Sequence, residues 1–165
     1  MFLDIYTDEK YKQQIKHYVL TDDNYTNTPS EVIMKSAKDK ERYPIVILDD
    51  AKEIVGFFCL HLGKGPEEYN FPSEYYGLIR GFSIDNRYRR QGYVSNCFSK
   101  IFDFIHREID AKLSHLVLAV NVQNIPAQKA YQKVGFKATK TKVLGEKSYL
   151  ILMTLSANTC ASGTL

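Results

Sequence analysis

No tryptophan, no CxxC cysteine pair and no apolar run long enough to cross a bilayer occur in this chain, and each absence narrows what it can be. The three cysteines, Cys59, Cys97 and Cys160, are odd in number and widely spaced, which argues against a disulfide framework and against a cysteine zinc centre. The four histidines, His17, His61, His106 and His115, have no metal-ligand spacing either, so no metal is expected. A spanning helix needs about 20 apolar residues, and the N-terminus, Met-Phe-Leu-Asp-Ile-Tyr, lacks the basic and apolar regions of a signal peptide. The expectation is therefore a cytoplasmic protein with no membrane partner. Charge of one sign is scarce as well. Lys and Arg total 22 against 19 Asp and Glu, a net +3, with no long basic run or basic amphipathic helix, so no nucleic-acid partner is expected. What is present is ordinary for a soluble domain: 165 residues, 44% hydrophobic and 25% charged, enough for one core.

Taken in order, Phe2 to Tyr6 reads as a strand, and Thr7 before Asp8 and Glu9 as the start of a helix running to about Val19. Thr28-Pro29-Ser30-Glu31 is a capping box with proline at the first helical position, opening a helix to about Lys38. Tyr43 to Leu48 and Glu53 to Leu62 form a hairpin across a polar turn, and Gly63 to Ser73 is a loop. Tyr75 to Ile84 is apolar on both faces apart from Arg80, the pattern of a central strand. Val94, Cys97, Phe98, Ile101, Phe102 and Ile105 step by three and four, one face of a helix reaching about Ile109. His115 to Val120 is a buried-type strand, Asn124-Ile125-Pro126 opens a helix closed by Gly135, and Phe136 to Val143 with Lys147 to Leu155 make a last hairpin. One mixed α/β domain over residues 1–155 is expected, with a flexible tail over 156–165.

Two stretches carry chemistry. Arg89-Arg90-Gln91-Gly92-Tyr93-Val94-Ser95 joins the central strand to the long helix through a basic, glycine-containing turn, and four of the six arginines (Arg80, Arg87, Arg89, Arg90) fall within eleven residues here. Backbone N–H groups turned outward ahead of a helix N-terminus form an anion cradle. In the second stretch Asn124, Ala127 and Tyr131 stand at i, i+3 and i+7, the first and last only about 20° apart around a helix, so that the three share a face. An amide, a small residue and a phenol on one face line a narrow groove with a polar group at each end.

Strand, Arg-x-x-Gly turn, amphipathic helix, strand, then Asn-x-x-Ala-x-x-x-Tyr-x-x-x-Gly-Phe resembles the GNAT superfamily of N-acetyltransferases, from about Leu78 to Phe136. The Arg80-Gly81-Phe82-Ser83-Ile84-Asp85 run is similar to that of small bacterial members, some of them polyamine acetyltransferases. The resemblance implies an α/β (α+β) fold: a mixed, mostly antiparallel sheet of about six or seven strands, flanked by about four helices and splayed between its central strands. It implies acetyl-CoA as donor, its pyrophosphate held by the backbone of Arg89, Arg90, Gln91, Gly92, Tyr93, Val94 and Ser95. The pantetheine arm would lie along Phe82, Ser83 and Ile84, with Asn124 and Ala127 beside the cofactor and Tyr131 near the sulfur as general acid. Val94 departs from the family, which usually has Gly or Ala there, and a β-branched side chain at that point crowds the phosphates.

Direct acetyl transfer needs a neutral amine, a donor for the carbonyl oxygen's developing charge and an acid for the departing sulfur. A backbone N–H near Phe82, freed by a bulge that Gly81 permits, is the expected oxyanion donor. A lysine-like amine is neutral only about 0.04% of the time at pH 7, a penalty of roughly 4.6 kcal/mol. The family often places a glutamate on the strand where Arg80 stands, so Glu74, His61, or a water chain to Glu67 or Glu68 must serve instead. Arg80 is either a structural ion-pair member or a group that orients an anionic acceptor, and in both cases needs a partner. The small-molecule acceptor is a polyamine, an aminoglycoside-like amine, an amino acid or a protein N-terminus. The alternative class is a CoA-binding sensor or interaction module that kept the fold without catalysis. Twelve tyrosines and nine phenylalanines allow a homodimer interface.

Overall fold

The sheet order places the open part of the molecule. The computed structural model describes residues 1–21 and 24–158. Their elements are β1 (Phe2–Ile5), α1 (Asp8–Ile15), α2 (Pro29–Ser36), β2 (Arg42–Leu48), β3 (Ile54–His61), α3 (Lys64–Glu67), β4 (Tyr76–Ile84), α4 (Tyr93–Glu108), β5 (His115–Asn121), α5 (Ile125–Lys133), β6 (Lys137–Leu144) and β7 (Tyr149–Ser156). All seven strands share one sheet in the order β1-β2-β3-β4-β5-β7-β6. Every neighbouring pair is antiparallel except β4 and β5, which run parallel. That pairing covers only Tyr76 to Ile79 against His115 to Leu118, although β4 continues to Ile84 and β5 to Asn121. Beyond Ile79 the two strands part, and the expected splay lies between them.

Alternation along β3 and β4 divides the core in two. Phe58, Leu60, Ile79 and Ile84 pack with Cys97, Phe98, Ile101, Phe102 and Ile105 of α4 on one face. Phe57 and Cys59 pack with Tyr11, Ile15 and Val32 of α1 and α2 on the other. The periodicity of the long helix is seen as expected: from Cys97 to Ile105 its three-four spaced apolar residues are buried, with Val94 half-buried, and each buried Phe or Ile contributes about 1.5–3 kcal/mol. Cys59 and Cys97 are both core thiols. The capping box at Thr28 forms, with Thr28 and Glu31 exchanging hydrogen bonds.

Three boundaries differ from expectation. The first helix ends at Ile15 rather than Val19, because Tyr18 and Val19 are drawn to β4: the Tyr18 hydroxyl meets Ser83 Oγ at 2.8 Å and Val19 N–H donates to Asp85 Oδ2 at 2.9 Å. The 63–73 loop contains the short helix α3, so the described residues have five α-helices where about four were expected. Of the expected tail, only residues up to Asn158 are described; the remainder, with Cys160, lies outside the described residues. Among the described residues no helix is long and apolar enough to cross a membrane.

Candidate active site

β4 carries the site, and its irregularity starts at Gly81. Ser83 pairs with Phe57 and Arg80 with Cys59, so Gly81 and Phe82 together oppose Phe58 alone: a bulge. Gly81 has φ +60°, and a Cβ there would stand 2.9 Å from Val32 Cγ2, so glycine is required for both backbone and space. Because of the extra residue, Arg80 and Ser83 leave the strand on the α1/α2 face, while Phe82 and Ile84 join the α4 core. Asp85 N–H donates to Val55 O at 2.9 Å, and the strand's alternation then turns the backbone edges of Phe82 and Ile84 away from β3 into the splay.

Past Ile84 the chain is held by a buried carboxylate. Asp85 is fully buried and accepts from the backbone of Val19 and Arg87 and from Arg87 Nε and Nη2, all within 3.0 Å. Burial alone would raise its pKa, but the Arg87 guanidinium and the backbone donors outweigh it and hold the carboxyl below its usual range. A 3₁₀ turn over Asn86–Tyr88 follows, capped by the same carboxylate. Arg89 Nε donates to Ile84 O at 3.3 Å, while Arg90 and Gly92 take left-handed backbone angles, φ +63° and +82°. That sequence of turns delivers the chain to the first turn of α4, where no side chain caps the N-terminus.

A depression of about 170 Å³ opens at this point, lined by Ile84, Arg90, Gly92, Tyr93, Val94 and Ser95, and by Tyr88, Ala130 and Lys133. A helix N-terminus with bare N–H groups, two exposed cations and an apolar wall suits a phosphate joined to an apolar arm. Gln91 is exposed beside the depression without lining it, and Val94 is half-buried against the core at its wall. Tyr88, Ala130 and Lys133 were not anticipated. Ala130 and Lys133 follow Ala127 at steps of three, but Lys133 lies about 120° round the helix from Ala127, so the face of Asn124 and Tyr131 did not point to it.

Below the depression an aromatic group fills the angle between β4 and α5. Phe82 stacks on Phe98, with centroids 5.2 Å apart, and Tyr131 stands edge-on to Phe82, Phe98 and Phe136 at 6.1, 6.3 and 5.6 Å. Burial pushes the Tyr131 phenol well above its ordinary range, and the nearby Cys97 thiol adds to the rise, so the hydroxyl keeps its proton. No hydrogen bond to a described residue occupies that hydroxyl. Asn124 caps α5, its Oδ1 accepting from Ala127 N–H at 3.4 Å, and Ala127 and Tyr131 pack on the same core. The Ser83 hydroxyl is on the other side of the sheet, bonded to Tyr18, so only its backbone follows the splay.

The acidic candidates are dispersed. Glu74 is exposed in the turn before β4, eight residues ahead of Phe82, and is not brought to the other residues. Glu67 accepts from Ser73 Oγ at 2.7 Å. Arg80 has found its partners: Nε donates to His61 Nδ1 at 2.9 Å, and Nη2 to Glu68 Oε2 at 2.5 Å. His61 is buried, with Nε2 3.5 Å from Asp39 Oδ2, and ligand atoms of Asp39, Glu41 and His61 lie within 4.8 Å of one another. This cluster, which joins the α2–β2 connection to β3, was invisible to sequence spacing.

Comparison with known proteins agrees with this geometry. The Acetyltransferase (GNAT) family profile matches residues 2–136. The uncharacterized N-acetyltransferase YbbJ of Bacillus subtilis (strain 168) is 30% identical over 125 residues, 74% of this chain and 77% of that protein. Among solved structures, aminoglycoside acetyltransferase AAC(6')-Ib in complex with coenzyme A superposes with a TM-score of 0.71 at 12% identity, over 97% of this chain and 96% of that one. A mutant spermidine N-acetyltransferase SpeG from Vibrio cholerae superposes with a TM-score of 0.67 at 14% identity, over all of both chains. The splayed sheet, the arginine-glycine turn and the matched span agree: this chain belongs to the acetyltransferase (GNAT) family and is an acyltransferase enzyme.

Proposed function

We propose that the protein transfers the acetyl group of acetyl-CoA directly to a primary amine, with Tyr131 as general acid. The observation that carries this reading is the continuity from cradle to phenol. The bare N-terminus of α4 opens on a depression walled by Ile84, whose strand leads through Phe82 to an unengaged hydroxyl on Tyr131. The cradle suits the pyrophosphate, with backbone N–H groups from Arg89 to Ser95 and the cations of Arg90 and Lys133 around it. The apolar arm then follows Phe82 and Ile84, whose backbone edges face the splay and, apart from the Ile84 carbonyl that accepts from Arg89 Nε, supply the hydrogen bonds that β5 supplies to the paired half of the strand.

In the transfer the amine nitrogen attacks the thioester carbon. The oxygen's charge is met by the Phe82 N–H at the bulge, and the C–S bond breaks as Tyr131 gives its proton to sulfur. A phenol whose neutral form is favoured by burial is a poor base and remains loaded as an acid. The amine's proton leaves on the other face of β4, through water to Glu68, the carboxylate that Arg80 holds there. Glu74 has no route to this point. His61 has none either, since its one basic nitrogen is taken by Arg80.

The neighbours' chemistry supports a small amine as acceptor: structural relatives act on aminoglycosides and spermidine by name. Tyr131→Phe is the direct test. CoA release should slow by about 100-fold or more, with the acetyl-CoA dissociation constant changed less than threefold. Equal turnover in both proteins would remove Tyr131 from the mechanism.

A further inference from the structure

The cluster of Asp39, Glu41 and His61 first looks like a cation site, but Arg80 decides otherwise. A guanidinium Nε can only donate, so His61 Nδ1 must accept, and the neutral ring then carries its proton on Nε2. The nitrogen facing Asp39 and Glu41 is a donor, not a ligand atom. Burial and the charges of Arg80 and Arg42 also disfavour a second proton on the ring, over the opposing pull of Asp39 and Glu41. His61 is thus a neutral, tautomer-fixed prop that holds Arg80 from behind, while Glu68, at the C-terminal end of α3, holds it from the other side.

The consequence falls on the acceptor. Arg80 stands two residues before Phe82, about 7 Å along β4, on the face opposite the α4 core. Nε and one N–H of Nη2 are committed, which leaves Nη1 and the rest of the fork for a planar anion. The guanidinium is the less exposed member of its pair, 26% against 53% for Glu68, so the fixed positive charge is the one closer to the strand. Among the described residues, Asp85 and Asp39 on this face are engaged by Arg87 and Arg42, and Glu41 accepts from the Lys64 backbone N–H at 3.3 Å. A permanent cation beside an amine disfavours the ammonium form and so favours the nucleophile, partly replacing a base.

Resting on the acetyl-transfer reading above, we propose that Arg80, held by His61, is a specificity-determining residue that selects a weakly basic α-amine carrying a carboxylate, such as the N-terminus of a short peptide, and disfavours polycations. An α-amino group of a peptide is already about one-tenth to one-sixth neutral at pH 7, where a lysine-like amine is about 0.04% neutral. That chemistry suits a strand with a guanidinium and no carboxylate.

The test uses the full chain and acetyl-CoA, with CoA release measured for dipeptides with free C-terminal carboxylates, the same dipeptides amidated, spermidine and kanamycin. The wild-type protein should favour the free-acid dipeptides over their amides and over both polycations by at least tenfold in kcat/KM. Arg80→Gln should bring acid and amide within about twofold, through KM, and shift the amine's kinetic pKa upward. His61→Gln, whose amide oxygen still accepts from Arg80, should keep the preference, and His61→Leu should lose it. Preference for spermidine, kanamycin or the amides, no turnover of any free-acid dipeptide, or an unchanged acid-to-amide ratio in Arg80→Gln overturns the proposal. The acetyl-transfer reading fails separately, if no amine releases CoA or acetyl-CoA does not bind. Should Arg80→Gln not fold, the wild-type preference and the His61 pair decide the matter alone.

Discussion

Gly92→Ala separates the cost of the cradle's shape from its use. Gly92 has φ +82°, and a Cβ added there meets nothing within 4 Å, so the substitution meets no protein atom and costs only the left-handed backbone, about 1 kcal/mol. With an unfolding entropy of about 2.1 cal/mol/K per residue, a chain of 165 residues loses about 0.35 kcal/mol per degree, so the melting temperature should fall by about 3 °C. On the proposed placement of the pyrophosphate, the same methyl stands where backbone N–H groups approach a phosphate, and acetyl-CoA affinity should drop at least tenfold. At a ligand concentration 100 times the wild-type dissociation constant, the wild type gains about 2.7 kcal/mol, or about 8 °C. A tenfold weaker variant at that concentration gains about 1.4 kcal/mol, or about 4 °C. Thermal unfolding of both proteins, with and without acetyl-CoA, reads all four values. A variant that melts 3 °C lower yet shows the full 8 °C ligand shift would refute the cradle.

The acceptor-dependent kcat/KM should rise with pH to the pKa of the amine and then level, because the neutral amine grows with pH while the buried Tyr131 phenol stays protonated. A falling limb below pH 9 in the rate profile would contradict that assignment. Asp85→Ala should cost about 1–3 kcal/mol in denaturant unfolding, since it leaves the Val19 and Arg87 backbone donors without their acceptor, while the half-exposed Arg87 guanidinium turns to water. Because the folded pKa of Asp85 is depressed, its contribution is complete above the unfolded value near 3.9 and is lost as pH falls through the folded one. The acid branch of the stability curve should accordingly flatten in the variant, and an unchanged acid branch would show that Asp85 is not its source.

Local signals with a physical cause were legible before any coordinates. The three-four step from Val94 to Ile105, the Thr28 capping box and the doubly apolar stretch from Tyr75 each describe what a short segment must bury or satisfy, and the structure follows them. Phe82 and Tyr131 each entered through a resemblance, and in the structure the two rings make a T-shaped contact with centroids 6.1 Å apart. What escaped the reading depends on contacts between distant segments. The first helix stops early because Asp85, 66 residues on, accepts from the Val19 backbone. His61 and Arg80 meet only because β3 and β4 pair, and the bulge sets the face on which Arg80 emerges. Lys133 reaches the cradle from α5, on the far side of the splay. Pairing registers of this kind have no signature in composition or spacing.

Calorimetric titration of the purified protein with acetyl-CoA, at low and at high salt, tests the account at its centre. The cradle of exposed cations and bare N–H groups should give micromolar binding that weakens as salt screens the phosphates. Absence of binding up to millimolar acetyl-CoA, or binding indifferent to salt, would contradict both the cradle and the acetyl transfer built on it.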